Sequence, residues 1–168
     1  TSATTFLSFL SLYMSNLGSS DTIIGWAFSI AAITEVPCMI YLGALSDKIG
    51  RKPMIIAALF CLPAQAVSLH GREPPYLILP IQLLHGLTFG VLYVASVAFV
   101  SDIASESRGT ALGLYNTASY GGSAAGSAIA GVISDGHGLI NMYRFMTVFS
   151  FLPALLFTFI AKETLKNH

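Results

Sequence analysis

Gly43-Ala44-Leu45-Ser46-Asp47-Lys48-Ile49-Gly50-Arg51-Lys52-Pro53 stands between two long apolar runs, and its reading decides how the rest of the chain is understood. Each position has a physical use. Gly43 allows a neighbouring helix to approach closely. Asp47 accepts charge-assisted hydrogen bonds. Gly50 can take the left-handed turn that a short connection needs. Arg51 offers a fork of donors to a carboxylate or to helix-terminal carbonyls. Lys48 and Lys52 add positive charge on either side, and Pro53 is well tolerated at the first position of a helix. The plainest interpretation is a tight basic turn joining two apolar segments.

Composition says what those segments are. The chain has 168 residues, 54% hydrophobic and 10% charged, with mean hydropathy +0.72. Soluble domains carry about 25% charged residues, and a water-soluble fold of this length could not hide so much apolar surface. The expected solvent is therefore the lipid bilayer. Formal net charge is zero, and the basic residues are scattered rather than striped, so no nucleic acid partner is expected. Cys38 and Cys61 both lie in apolar runs, without CxxC or zinc-type spacing. They read as two small buried residues, and no metal or other cofactor is expected. The start is Ser/Thr-rich, with neither a basic region nor an initiator Met. The chain is thus expected to begin inside its first helix, as a fragment of a longer protein.

Six apolar stretches are each about long enough to cross ~30 Å of hydrocarbon at 1.5 Å per residue. The predicted transmembrane helices are 1–17, 22–46, 53–69, 76–103, 109–134 and 142–161, with Asp21 as N-cap of the second. The runs are continuous rather than alternating, which excludes a β-barrel. No linker or charge run divides them, so residues 1–168 are expected to form one all-α, six-helix membrane domain. Lys48, Arg51, Lys52, Arg108, Lys162 and Lys166 fall on one side of such a bundle; Arg72 and Arg144 fall on the other. That bias puts the first side, and with it both termini, in the cytoplasm of a multi-pass protein of the plasma or inner membrane.

The stretch 43–53 resembles the G-x-x-x-D-x-x-G-R-[KR] loop of the major facilitator superfamily. Leu12-Tyr13-Met14-Ser15-Asn16-Leu17-Gly18 with Ile24-Gly25 is similar to the first helix of a superfamily half, and Gly122, Gly126 and Gly131 to its glycine-rich fifth helix. The family pattern has Pro after the second of these glycines. Here Ser127 stands there, which speaks against an antiporter-type reading. Gln82 occupies the place before Gly86 where an amino-terminal half often carries Arg, and a short polar tail runs from Lys162 to His168. Both resemble a carboxy-terminal half. Thr34-Glu35-Val36-Pro37 and Gln82-Leu83-Leu84-His85-Gly86 look most like the lactose permease-like and phenylpropionate permease-like proton symporters. The resemblance implies one half of a secondary transporter working by alternating access, with the missing six-helix half of the same chain as partner. It implies a small organic solute such as a sugar, nucleoside or aromatic acid, with the proton as coupling ion. It also implies that Gly43, Asp47, Gly50, Arg51 and Lys52 steady the state closed to the cytoplasm.

The candidate site follows from which polar residues lie deep in the spans. Glu35 is the acid near the middle of the second helix, where a charge costs ~2.5 kcal/mol or more unless it faces a partner or a cavity. Pro37 frees a backbone carbonyl one turn back, near Ile33. Gln82 and His85 lie three apart on one face of the fourth helix, at a similar depth, and His titrates in a useful range. Asn116 and Tyr120 share a face of the fifth helix. These five are the candidate substrate-binding or proton-coupling residues. Thr1, Thr5, Ser8, Ser11 and Ser15 form a polar stripe on the first helix. Gly113, Gly122, Gly126 and Gly131 are expected to serve close helix packing, Gly43 to touch the fifth helix, and Arg144 to snorkel. An intramembrane enzyme is not expected. Gly121-Gly122-Ser123-Ala124 lacks the closing glycine of a serine-hydrolase turn, and His137 falls in a loop. The remaining alternative is a non-transporting or degenerate helical membrane fragment.

Overall fold

In a computed structural model, residues 2–67 and 78–161 are described, with side chains from residue 7 onward. Thr1, Arg72, Lys162 and Lys166 lie outside the described residues, as do the side chain of Thr5 and the expected helix ends at 68–69 and 76–77. The described residues form six α-helices: α1 Ser2–Asn16, α2 Asp21–Ile49, α3 Arg51–Val67, α4 Ile78–Ile103, α5 Arg108–His137 and α6 Leu139–Ile160. Three of them, α2, α4 and α6, are long and apolar enough to cross a membrane. Helices α1 and α3 have 15 and 17 residues, and the 30 residues of α5 are diluted by Gly and Ser.

Two of the connections are far shorter than the sequence suggests. The stretch 47–52, expected as a loop, is helix except for Gly50, which links α2 to α3 alone. Its φ of 117° lies in the region open to glycine, and its N–H donates to Ser46 O at 3.1 Å. Gly138, with φ 82°, joins α5 to α6 in the same way, its N–H donating to Ser134 O at 2.9 Å. A glycine that ends one helix and immediately admits the next removes the need for a loop. This explains why α5 runs on through Asp135 and takes in His137, which the sequence reading left in a loop. It also corrects two local expectations. Pro53 is the third residue of α3, still inside the first turn, where its missing N–H does no harm. Asp21 is the first helical residue and Ser20, in extended conformation, is the N-cap.

Packing arranges polar side chains between two apolar ends. At one end Leu10, Tyr13 and Met14 of α1 meet Ala27, Ile78, Ala130, Met142, Tyr143 and Met146. Tyr13 and Tyr143 cross edge to face at 5.4 Å. At the other end Ile55 packs with Ala95 and Phe99, and Phe157 lies 5.4 Å from the Phe99 ring. Between these ends, α4 buries Gln82, His85 and Thr88, and α3 buries Gln65. Helix α4 is the hub: it lies against α2, α3 and α5, while α3 also packs on α6.

Candidate functional site

The buried polar layer is built on the α3–α4 contact. These helices run antiparallel, so Gln65, near the end of α3, reaches the early turns of α4. Its Nε2 donates to Thr88 Oγ1 at 2.8 Å and approaches Leu84 O at 3.4 Å. Its Oε1 lies 3.0 Å from His85 Nδ1. Thr88 Oγ1 donates to Leu84 O at 2.7 Å. The His85 ring stacks on Phe89 at 6.1 Å between centroids. Polar groups so placed are tolerated only when they satisfy one another. Gln82, fully buried one turn earlier, departs from this: both ends of its amide lack a hydrogen-bond partner among the described residues.

Glu35 stands at the same level on the other side of α4. A β-carbon added to Gly86 would lie 2.5 Å from Ala31 O and 3.1 Å from Glu35 N. One added to Gly90 would lie 3.2 Å from Glu35 O and 3.3 Å from Cys38 Cβ. Gly86 and Gly90 therefore let the α2 backbone into the groove of α4, the close approach that a small-x-x-x-small spacing provides. The matching order along both helices means that they run parallel. Glu35 is half-buried and makes no hydrogen bond or ion pair among the described residues. Gly43 continues this contact. Its added β-carbon would lie 2.9 Å from Val94 Cγ1, so its neighbour is α4 and not α5, as the sequence reading expected.

At the Gly50 end a charge cluster ties three helices. Arg51 Nη1 donates to Asp47 Oδ1 and to Ser46 Oγ at 3.0 Å. Arg51 Nε donates to Asp102 Oδ2, at the end of α4, at 3.2 Å. Ser46 Oγ in turn donates to Gly43 O at 2.8 Å. Asp47 and Arg51, four apart in sequence, meet across the one-residue link at Gly50, and the guanidinium fork spans both carboxylates. The third partner is Asp102, at the end of α4.

This architecture has known counterparts. A family model described as the MFS_1 like family matches residues 1–145. The chain belongs to the major facilitator superfamily. It is 30% identical over 159 residues to the multi-drug resistance efflux pump PmrA of Streptococcus pneumoniae, covering 92% of this chain and 40% of that protein. It is 26% identical over 160 residues to the multidrug resistance protein MdtG of Proteus mirabilis, again covering 92% of this chain and 40% of the relative. A shorter match, 31% over 96 residues, joins 56% of the chain to 24% of MdtL of Shewanella oneidensis. The chain thus spans about two fifths of the length of the first two relatives. Membership makes it part of a multi-pass membrane transporter family. By name PmrA is an efflux pump and MdtG and MdtL are multidrug resistance proteins, whereas the sequence reading leaned toward permease-like symporters.

The remaining expected residues of this superfamily chain are not drawn into the layer. Asn116 and Tyr120 stand exposed on α5. Gly113 has open space where a side chain would go, and Gly131 meets only Phe9 Cζ, at 4.0 Å. Gly122 and Gly126 line an apolar cavity of about 400 Å³ between α5 and α6, with Phe145, Met146, Phe149 and Leu152 opposite. Ser8 and Ser15 are exposed and Ser11 half-buried, so the α1 stripe is not part of the core. Arg144 Nη1 donates to Asn141 Oδ1 at 3.3 Å, beside an open polar cavity with Asn16 and His137. Gln65, Thr88 and the Gly86/Gly90 pair were missed by the sequence reading. Gln65 is the one side-chain amide in α3, and Gly86-x-x-x-Gly90 lies in plain view inside an apolar run; these were the available signals.

Proposed function

We propose that this chain is a six-helix half of a secondary transporter that exports apolar or amphipathic organic solutes, with protons exchanged at Glu35 as the driving reaction. Glu35 carries this reading. It is an acid inside a 29-residue apolar helix, set at the α2–α4 crossing without a countercharge among the described residues. A carboxyl so placed avoids its burial cost in two ways: by taking a proton, or by pairing with a cation or a donor that arrives. Alternation between those states is what coupling requires. Helices α1, α3 and α5 complete the membrane-crossing set in this proposal, and Gln82 and His85 supply neutral polar groups at the depth of Glu35. The Asp47–Arg51–Asp102 cluster steadies the state closed at that end.

The cavity between α5 and α6, walled by phenylalanines and small residues, favours an apolar solute over a sugar, and the efflux pump name of PmrA points the same way, against the Ser127 that stands where the antiporter pattern has Pro. Uptake by proton symport is the second reading. It uses the same carboxyl, and Gln82, buried with both amide ends free to bond, is the observation that suits a hydroxylated solute. The test is the full-length protein in proteoliposomes under an imposed proton gradient, given a fluorescent amphipathic dye in one arm and sugars, nucleosides and aromatic acids in the other. Dye movement against its gradient, coupled to protons and lost in Glu35→Gln while dye exchange persists, is the expected result. Proton-driven accumulation of a sugar or aromatic acid, with no dye movement, would replace export by symport. Full uphill transport by Glu35→Gln would reduce Glu35 to a structural acid.

A further inference from the structure

The hydrogen bonds around Gln65 form a chain in which each donor fixes the next. Thr88 has one hydroxyl proton, and it goes to Leu84 O at 2.7 Å. Toward Gln65, 2.8 Å away, the Thr88 oxygen can therefore only accept. The atom that Gln65 presents to Thr88 must be a donor, its Nε2. The second neighbour of that atom, Leu84 O at 3.4 Å, is a carbonyl and can also only accept. The orientation of the amide is thus settled twice, and Oε1 is the end that faces His85. An amide oxygen accepts and never donates. At 3.0 Å from it, His85 Nδ1 must carry a hydrogen. In a neutral imidazole only one ring nitrogen does so, and Nε2 is left with its lone pair.

We propose that Gln65 is a positioning residue: it holds His85 in the tautomer with hydrogen on Nδ1, which makes Nε2 the atom through which this histidine gains and loses a proton inside the bundle. The tautomer follows from the geometry alone; its use in transport rests on the export reading above. Burial makes the assignment consequential. Gln65 is 1% exposed and His85 2%, so in this arrangement the amide and not water selects the tautomer, and Nε2 exchanges its proton when the cycle opens the layer to water. The helices against α4 bring few other titratable groups to this level. Helix α2 brings Glu35 and Cys38, and α3 brings Cys61, one turn from Gln65. Counting equal rise from the α4–α5 connection, α5 passes this level near Gly126, with no titratable residue in the turns on either side. The base at Nε2 and the carboxyl of Glu35 are the two proton-exchanging groups of the layer.

The experiment is magic-angle-spinning NMR on the full-length protein in lipid with ¹⁵N-labelled histidine, the His85 signals being assigned by their loss in His85→Asn. The expected spectrum at neutral pH has a protonated Nδ1 and an unprotonated Nε2. Gln65→Leu should replace that single species with a mixture containing the Nε2–H tautomer. Gln65→Glu, which keeps an acceptor toward Nδ1, should retain the Nδ1–H signal. Thr88→Val keeps side-chain volume and removes one of the two acceptors that orient the amide, leaving Leu84 O as the other; it should give a smaller share of the Nε2–H tautomer than Gln65→Leu and serves if that variant does not insert. A single Nε2–H species in the unmodified protein, or an unchanged spectrum in both Gln65→Leu and Thr88→Val, overturns the proposal. The pH profile of proton-driven transport should shift in Gln65→Leu and not in a control such as Gly113→Ala. A lost Nδ1–H signal with an unmoved profile overturns the proton-exchange step. The tautomer is read on the resting protein, so that result does not depend on which solute is carried or in which direction.

Discussion

Helices α4 and α5 both carry glycines at helical spacing, and they use them in opposite ways. In α4, Gly86 and Gly90 sit against the backbone of α2, where an added β-carbon would meet carbonyl oxygens at 2.5 and 3.2 Å. In α5, Gly109, Gly113 and Gly121 meet nothing within 4 Å among their described neighbours, and Ala130 is the helix's one buried residue. The same residue type therefore builds a fixed interface in one helix and leaves a bare, smooth face in the other. In a membrane, packing rather than apolar burial drives helix association. A glycine contributes when another backbone lies in its groove, and otherwise costs helix stability.

Substitutions should separate the two helices cleanly. The largest effect is expected for Gly86→Ala. Its methyl would lie 2.5 Å from Ala31 O, and a backbone carbonyl cannot step aside. The α2–α4 pair must then spread, at about 1–3 kcal/mol, lowering the melting temperature and the folded yield of the full-length protein. An unchanged melting temperature would mean that this crossing is not tight. Gly90→Ala meets its neighbours at 3.2–3.3 Å, which asks for a shift of only tenths of an ångström. A drop smaller than that of Gly86→Ala, in the same thermal assay, is expected; a larger one would reverse the ranking of the two contacts.

The charge cluster comes next. Asp102→Asn removes one of two carboxylates on Arg51; its own side chain is 32% exposed, and Asp47, 61% exposed, still pairs with the guanidinium. Exposed pairs are worth about 0.2–1 kcal/mol, so the melting temperature should barely move. The balance between states open to either side should shift instead, as read by cysteine labelling from each face, with Asp47→Ala producing the same direction of change. Labelling identical to the unmodified protein in both variants would remove the clamp role. A change of opposite sign is expected for Gly113→Ala, which fills open space and gains up to about 1 kcal/mol of helix propensity. If this variant instead destabilises the full-length protein, the bare α5 face is covered there by chain outside these 168 residues, and the contrast between the helices belongs to this segment alone.

The number and approximate placing of the helices were legible in the sequence because apolar runs of membrane-crossing length leave few alternatives. The 43–53 stretch was legible too, because Gly50 and Arg51 have narrow physical uses, and Arg51 does pair with Asp47. Membership of the major facilitator superfamily followed from that stretch. Which residues share a layer was not legible. Depth along a helix can be counted, but rotation about its axis depends on neighbours, and this is why Asn116 and Tyr120 were grouped with Glu35 yet stand exposed. Gly50 and Gly138 show the same division. Sequence marks Gly50 as a turn former and leaves Gly138 unremarked in a loop, and whether a turn takes one residue or six depends on how the flanking helices pack. Gln65 needed tertiary structure most of all. Nothing in its local sequence joins it to a histidine 20 positions away, and only the antiparallel seating of α3 on α4 converts an isolated amide into the group that orients the His85 ring.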